Sequence, residues 1–266
     1  FMRTHKDEPM CLYYPMPLLH RPFVPTPDEP HAKGTLNRHK AMVRYVDKMV
    51  GQLVDELDEL GIRERTIIFF ASDNGTDVLI NGSLNGKKVK GGKGTQNEAG
   101  VCGPFIVNCP GIVPAGVETD ALTDLSDMLP TFVELGGGKL PEDLIVDGKS
   151  MAPLILEREK DSARDWIMAL SFGKARLDKL GILPGQTFGP RVIRDKQFKV
   201  WVDQKKQITR LHNLKKDPAE EKNLLSSKQR EHRRAIIKFQ EIVKTFPKTD
   251  GRPLYEARAA NSWDRK

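Results

Sequence analysis

One short segment of the sequence constrains the fold more than any other: the apolar run Thr66–Ala71, which ends abruptly in Ser-Asp-Asn-Gly. A continuous run of β-branched and aromatic residues of this length predicts a strand that is buried on both faces. Such strands belong to sheets of parallel strands, whose ligands bind beyond the carboxyl ends. Asp73 and Asn74 follow at that end, so the segment predicts an α/β fold with two polar side chains at a ligand-binding edge.

The segments that flank this strand fit an α/β fold. From Thr35 to Leu60 apolar residues recur every three or four positions, which predicts a helix with one buried stripe, and Gly61 can end it. Residues 75–100 are rich in Gly, Asn and Lys and predict a loop. Phe105–Val107 then predicts a second buried strand, so helix and strands alternate as in α/β proteins.

Near the N-terminus, a short apolar run is followed by closely spaced prolines. Met10–Pro15 predicts a strand, and the prolines after it predict a rigid extended loop. His20 lies where the two meet, which places an imidazole at the end of another strand.

The pattern changes beyond residue 160. Arg191–Val202 alternates polar and apolar residues, which predicts an antiparallel strand with one wet face, and Gln207–Leu211 can return as its hairpin partner. Leu224–Phe246 is highly charged with one apolar stripe, which predicts a C-terminal amphipathic helix. We therefore expect an α/β part over residues 1–160 and a smaller subdomain over residues 161–266, built of antiparallel strands and a terminal helix.

Composition excludes several classes of protein. The chain has 266 residues, which suffices for a sizeable core, and no apolar run approaches the length of a membrane span. The formal net charge of +7 suits an anionic ligand or a polyanion, although a solvated basic surface is the simpler explanation of so modest an excess. The basic residues lack interleaved aromatics, so nucleic-acid binding is not expected. Three cysteines without a CxxC pair indicate neither a zinc site nor a disulfide framework.

Asp73 and Asn74 are candidate metal ligands. Both side chains offer the hard oxygen donors that Ca²⁺ or Mg²⁺ prefers. A calcium ion takes about six or more oxygen ligands, so a site here must recruit further carboxylates from elsewhere. Asp-Asn-Gly is also a common turn sequence, and from local chemistry alone a plain turn remains an alternative.

Lys93 and His20 are candidate ligands for an oxyanion. Lys93 lies in a Lys-Gly-Gly-Lys-Gly loop, where cations and exposed backbone amides can hold sulfate or phosphate, although a solvated mobile loop has the same composition. Glu98 follows closely and could orient that lysine or cap a turn. His20 could donate a proton to a leaving group or a hydrogen bond to an anion, or be an ordinary hydrogen-bonded histidine.

The order of these segments resembles the C-terminal portion of the sulfatase family, within the alkaline-phosphatase superfamily. His20-Arg-Pro is similar to the family's His-x-Pro loop, Asp73-Asn74-Gly75 to its calcium-binding segment, and the Gly-Gly-Lys93-Gly loop to its lysine loop. Further segments resemble the family's helix before the metal strand and its structural landmarks: Ala41–Leu53, Asp127–Thr131, Asp147–Ser150 and Leu214–Glu220.

This resemblance implies a fold, a reaction and a set of roles. The fold would be part of an alkaline-phosphatase/sulfatase-like α/β/α sandwich, with a smaller C-terminal antiparallel sheet plus helix. The reaction would be hydrolysis of a sulfate ester on a small molecule or glycan. Asp73 and Asn74 would ligate Ca²⁺, with Mg²⁺ possible, while His20 and Lys93 would contact the sulfate and act in catalysis. Relatives of this kind imply a periplasmic, secreted or lysosomal compartment, and no signal peptide is visible at the start of the sequence.

The sequence also departs from the family pattern. It contains no Cys/Ser-x-Pro/Ala-x-Arg motif, whose first residue becomes the formylglycine nucleophile in the family, and it lacks the early Asp-Asp pair of the metal shell. Cys102-Gly103 replaces the Arg/His-Val usual before the next strand. We therefore expect the chain to be the second half of a longer enzyme, inactive without the N-terminal half that carries the nucleophile, and marginally stable because an exposed sheet edge favours aggregation.

Two other functions remain open on the sequence alone. A phosphoesterase or phosphonate hydrolase of the same superfamily would bind a similar tetrahedral oxyanion. A non-catalytic module could hold a polyanion such as a sulfated glycan on its basic surface, which includes Lys87, Lys88, Lys90 and Lys93.

Overall fold

The computed structural model describes residues 1–84, 86–170, 176–178, 181–183, 188–248 and 250. The chain divides into two units by its contacts, and both are discontinuous in sequence. Unit 1 comprises Phe1–Lys93, Cys102–Thr119 and Leu125–Ala163, and unit 2 comprises Gly94–Val101, Asp120–Asp124 and Arg164–Lys266. The sequence boundary at residue 160 stays a prediction.

The two units contain α-helices and short β-strands. The α-helices are α1 (Met2–His5), α2 (Thr35–Glu59), α3 (Glu98–Val101), α4 (Met128–Leu135), α5 (Ala152–Ile155) and α6 (Arg230–Thr245), with short 3₁₀ turns at Arg63–Arg65 and Leu125–Asp127. The strands are β1 (Ile68–Ala71), β2 (Asn81–Leu84), β3 (Lys87–Lys90), β4 (Phe105–Asn108), β5 (Ile167–Leu170), β6 (Arg176–Asp178), β7 (Gly181–Leu183), β8 (Arg191–Arg194), β9 (Phe198–Val202) and β10 (Ile208–Asn213). No helix among the described residues is long and apolar enough to cross a bilayer.

Helix α2 forms where the apolar period predicts it. Its buried positions include Met42 and Val46, which lie on one face. The helix ends in a Schellman motif: Gly61 adopts a left-handed φ of 67°, its N–H donates to the carbonyl of Asp58, and the next N–H, of Ile62, donates to Leu57. Leu57 and Ile62 are both buried, so the C-terminal end of the helix is anchored by the residue that follows Gly61.

Strands β1 and β4 differ from the sequence prediction in two ways. They pair with each other in antiparallel register, with Ala71 opposite Phe105, rather than in a parallel sheet. Neither strand is buried on both faces, and Ile106 is 56% exposed. An apolar run specifies burial only if other elements cover it, and Phe132 of α4 supplies one such contact, packing edge-on against Phe69 at 5.1 Å. The pairing places the residues after β1 beside those before β4.

Two further expectations for unit 1 are wrong. Residues Met10–Pro15 form no strand, because prolines 15 and 17 lack N–H donors and Tyr13 is 86% exposed. His20 therefore follows a loop. The loop expected over residues 75–100 contains the β2–β3 hairpin, in which Gly86 takes a positive φ of 76°.

Unit 2 contains a four-stranded antiparallel sheet in the order β10-β9-β8-β5, with α6 packed against it. Residues Arg191–Val202, expected as one strand, turn at Asp195, whose carboxylate accepts the N–H groups of Gln197 and Phe198. The predicted hairpin between β9 and β10 is confirmed. Helix α6 begins at Arg230, later than expected, and its stripe is centred on fully buried Phe239, while Ile237 is 58% exposed.

Candidate active site

Asp73 and Asn74 lie in the turn directly after β1. The Ser72 N–H donates to the Pro104 carbonyl at 3.2 Å and its hydroxyl donates to the Asn74 carbonyl at 2.8 Å, which fixes the turn. The Asn74 amide nitrogen donates to the Gly75 carbonyl at 2.9 Å, so Oδ1 is the atom of Asn74 that can coordinate a cation. Asp73 is exposed and Asn74 is half-buried.

Gly103, one of the departures from the family pattern, has a structural reason here. A Cβ at this position would overlap the Ser72 hydroxyl. The hydroxyl that holds the Asp73–Asn74 turn therefore occupies the space of the missing side chain.

The main chain of the lysine loop is bonded to the segment that follows this turn. The N–H groups of Gly92 and Lys93 both donate to the Thr76 carbonyl at 2.9 Å. A side chain at Gly91 would overlap the Asp77 carbonyl, so the two segments approach as closely as glycine permits. Lys93 is half-buried. Its backbone is thus bonded to Thr76, which lies two residues after Asn74 in the chain.

His20 is oriented by a hydrogen bond to the backbone of the next residue. Its ring Nδ1 lies 2.7 Å from the Arg21 carbonyl, and because a carbonyl only accepts, Nδ1 carries the proton. This leaves Nε2 as the ring nitrogen available to a ligand, on an exposed side chain. The Arg21 Nε donates to Asp77 Oδ2 at 2.6 Å.

The three segments that the sequence singles out therefore meet at Thr76 and Asp77. The His20 segment reaches Asp77 through a side chain, the Lys93 loop reaches Thr76 through its backbone, and the Asp73–Asn74 turn precedes both. All of these residues belong to unit 1.

Sequence reasoning missed three residues of this arrangement: Arg21, Thr76 and Asp77. The signal available was Gly91-Gly92, because consecutive glycines in a loop often mark a close approach of two backbones. The suggestion that Glu98 orients Lys93 is wrong. The Glu98 carboxylate lies in unit 2, where it bonds to Arg194 and to Lys199.

Asp77 also lies near a titratable histidine. Burial lowers the pKa of His39, and the nearby Asp77 carboxylate opposes this effect in part. The His39 ring packs edge-on against Phe23 with 5.2 Å between ring centroids. This corner of unit 1 therefore favours a neutral imidazole at position 39.

The donor set for a metal ion fits in kind and falls short in number. Asp73 and Asn74 offer hard oxygens, as calcium or magnesium requires. Within the described residues no group of three or more His, Cys, Asp and Glu could hold a metal ion. A complete site would need ligands beyond these two.

Comparison with known proteins decides the family. The profile of the sulfatase family matches residues 1–138, more than half of the chain, and the profile of the C-terminal part of N-sulphoglucosamine sulphohydrolase matches residues 93–245. The chain belongs to the sulfatase family. The departure at Gly103 is thus a variation within a sulfatase sequence.

Named relatives are longer than this sulfatase chain. It is 31% identical to human arylsulfatase D over 174 residues, and the aligned region covers 63% of this chain and 29% of arylsulfatase D. It is 30% identical over 244 residues to a sulfatase of Formosa agariphila, which covers 84% of the chain and 43% of that protein. The chain therefore spans less than half the length of these relatives.

Solved structures confirm the fold class. One, from work on the metabolism of multiple glycosaminoglycans by Bacteroides thetaiotaomicron, superposes with a TM-score of 0.68 at 24% identity, covering 92% of this sulfatase chain and 52% of that chain. Another, solved with its substrate D-glucosamine-2-N,6-O-disulfate, gives a TM-score of 0.59 at 23% identity and covers 80% and 41%. The fold is the alkaline-phosphatase-like α/β fold of sulfatases, with the expected C-terminal antiparallel sheet and helix.

Proposed function

We propose that this chain provides the sulfate-binding part of a sulfuric ester hydrolase that acts on sulfated glycans. The observation that supports it most is the meeting of the His20, Lys93 and Asp73–Asn74 segments at Thr76 and Asp77. A cation, an imidazole and two hard oxygens held on one frame are what a sulfate ester and its counter-ion require.

His20 and Lys93 have separate roles in this proposal. The Lys93 ammonium pairs with the sulfate oxygens as a compact positive charge. His20 keeps its Nδ1 proton on the Arg21 carbonyl, so in the protonated ring Nε2–H donates to the sulfate or to the bridging oxygen of the leaving alcohol. Both residues favour negative charge on the ester oxygens as the S–O bond breaks.

Asp73 and Asn74 contribute two ligands to the proposed calcium site. When bound, calcium would supply charge neutralisation at the sulfate. The remaining ligands and the formylglycine nucleophile belong, in this proposal, to an N-terminal half of the same enzyme. The chain alone then binds calcium weakly and hydrolyses no sulfate ester.

A glycan is the substrate class that the structural neighbours favour, since one of them was solved with a disulfated glucosamine. The phosphoesterase alternative is not favoured, because the named relatives are sulfatases. The polyanion-binding alternative differs from the proposal in its residues, since it depends on exposed lysines such as Lys88 rather than on His20.

The test is calorimetric titration of the 266-residue chain with inorganic sulfate. We expect His20→Ala and Lys93→Ala each to weaken sulfate binding about tenfold or more, as loss of a charge-assisted hydrogen bond does. Lys88→Ala, a matched change of an exposed lysine on β3, should leave the affinity within about twofold because exposed charges contribute little. Binding that depends on Lys88 and not on His20 would replace the proposal by the polyanion module.

A further inference from the structure

Asp77 is the residue of this corner that no family motif assigns a role. Its side chain is 8% exposed, and both carboxylate oxygens are engaged: Oδ2 accepts from Arg21 Nε at 2.6 Å and Oδ1 accepts from the Leu79 N–H at 2.9 Å. A buried carboxylate held at two points by directed bonds has a single orientation. The residue that it fixes through a side chain is Arg21, the neighbour of His20 in sequence.

The main chain at Asp77 has a different partner. The Asp77 carbonyl accepts from the Ile80 N–H at 2.9 Å and fills the space beside Gly91, and the adjacent Thr76 carbonyl accepts from Gly92 and Lys93. These contacts use backbone atoms, so they survive a change of the Asp77 side chain. The side chain of Asp77 therefore reaches the His20 segment, whereas its backbone belongs to the Lys93 side of the corner.

We propose that Asp77 is a positioning residue that sets His20 for contact with the sulfate, acting through the Arg21–Asp77 ion pair. This inference rests on the proposed function and deepens it. His20 is exposed and bonded to the Arg21 carbonyl, so the placement of its ring follows the backbone at residue 21. The Arg21–Asp77 pair anchors that backbone to the buried corner.

A positioning role and a purely electrostatic role of Asp77 predict opposite changes in sulfate affinity when its side chain is removed. A carboxylate near an anion site repels the anion, so its removal should strengthen sulfate binding if Asp77 acted only as a charge. Positioning predicts that the same removal weakens binding. The sign of the change therefore separates the two roles.

The experiment is a set of sulfate titrations of the 266-residue chain by calorimetry, with thermal melts of each variant. We expect Asp77→Asn and Asp77→Ala to weaken sulfate binding about tenfold, as much as His20→Ala does. Asp77→Ala combined with His20→Ala should be no weaker than His20→Ala alone, whereas Asp77→Ala combined with Lys93→Ala should show the product of the two effects. If Asp77→Ala caused a general structural defect, it would weaken sulfate binding equally in the His20→Ala and the Lys93→Ala backgrounds.

Three further variants complete the design. Asp28→Asn removes an exposed carboxylate paired with Lys48 at 2.8 Å and should leave the affinity within about twofold. If the melts show that the Asp77 variants are unfolded, variants of its half-exposed partner Arg21 test the proposal instead. Arg21→Met should weaken sulfate binding only while His20 is present. Arg21→Lys should bind sulfate more tightly than Arg21→Met, because it restores part of the ion pair.

Each result has a defined meaning. Tighter or unchanged sulfate binding in the folded Asp77 variants, with His20→Ala and Lys93→Ala behaving as expected, overturns the role of Asp77 and leaves the proposed function standing. Additive effects of Asp77→Ala and His20→Ala do the same. Sulfate binding that ignores both His20 and Lys93 overturns the proposed function and this inference together.

Discussion

Replacing Lys199 by methionine should destabilise unit 2 strongly, because this lysine is fully buried among carboxylates. Its ammonium donates to Glu98 and Glu220, both at 3.0 Å, and to the Gln96 carbonyl at 2.6 Å. Glu220 is itself 2% exposed and also accepts from the Glu98 N–H at 2.6 Å and from the Trp201 indole at 3.3 Å. Lys199→Met would leave this carboxylate buried without its cation.

The expected decrease in the free energy of unfolding follows from the burial of this ion pair. Removing one partner of a buried ion pair costs about 3–5 kcal/mol, whereas an exposed pair contributes about 0–1 kcal/mol. The matched control is Lys238→Met, which breaks a pair with Asp195 at 2.7 Å whose lysine is 47% exposed. The double variant Lys199→Met/Glu220→Gln should recover at least half of the loss, since Gln keeps the acceptor oxygen without the charge.

Urea unfolding followed by tryptophan fluorescence is the assay. The tryptophans among the described residues, Trp166 and Trp201, lie in unit 2, so a change in their fluorescence reports that unit. A decrease in the free energy of unfolding below about 1 kcal/mol for Lys199→Met, or one equal to that of Lys238→Met, would show that the burial of Lys199 adds no stability to its ion pairs.

Two smaller predictions concern unit 1. Gly91→Ala should weaken sulfate binding and lower the melting temperature, because a Cβ would overlap the Asp77 carbonyl; a variant with unchanged melt and affinity would show that the approach is not tight. His39 has a lowered pKa, so the folded state binds its proton less readily than the unfolded state, and stability should fall as the pH drops below about 6.5. His39→Gln should flatten that loss of stability in urea unfolding measured between about pH 7 and pH 5, since glutamine is polar but cannot become charged and leaves Asp77 and Phe23 in place. An unchanged dependence of the free energy of unfolding on pH would contradict the assignment.

Local patterns predicted the elements whose signals are complete within a few residues. Helix α2 could be predicted with its glycine end because the apolar period and the Schellman sequence lie in one segment. The β9–β10 hairpin could be predicted for the same reason, since its two strands are adjacent in sequence. The β2–β3 hairpin carries the Asn85-Gly86 signal, which the composition of the surrounding loop obscured.

Properties that depend on distant segments could not be predicted in this way. The apolar run of β1 indicated a strand, but its half exposure depends on which elements cover it. The site residues Asp73, Asn74, Lys93 and His20 were found through their order in the chain, and their functional roles remain proposals. Asp77 and Lys199 are charged residues in polar sequence surroundings, so nothing local indicates that each is buried against a partner.

The most direct test of a sulfate site shared by His20 and Lys93 is a crystal structure of the chain grown in inorganic sulfate at millimolar concentration. We expect one sulfate within about 3 Å of both His20 Nε2 and Lys93 Nζ, beside the Asp73–Asn74 turn. Sulfate bound elsewhere, or held by either residue without the other, would contradict it.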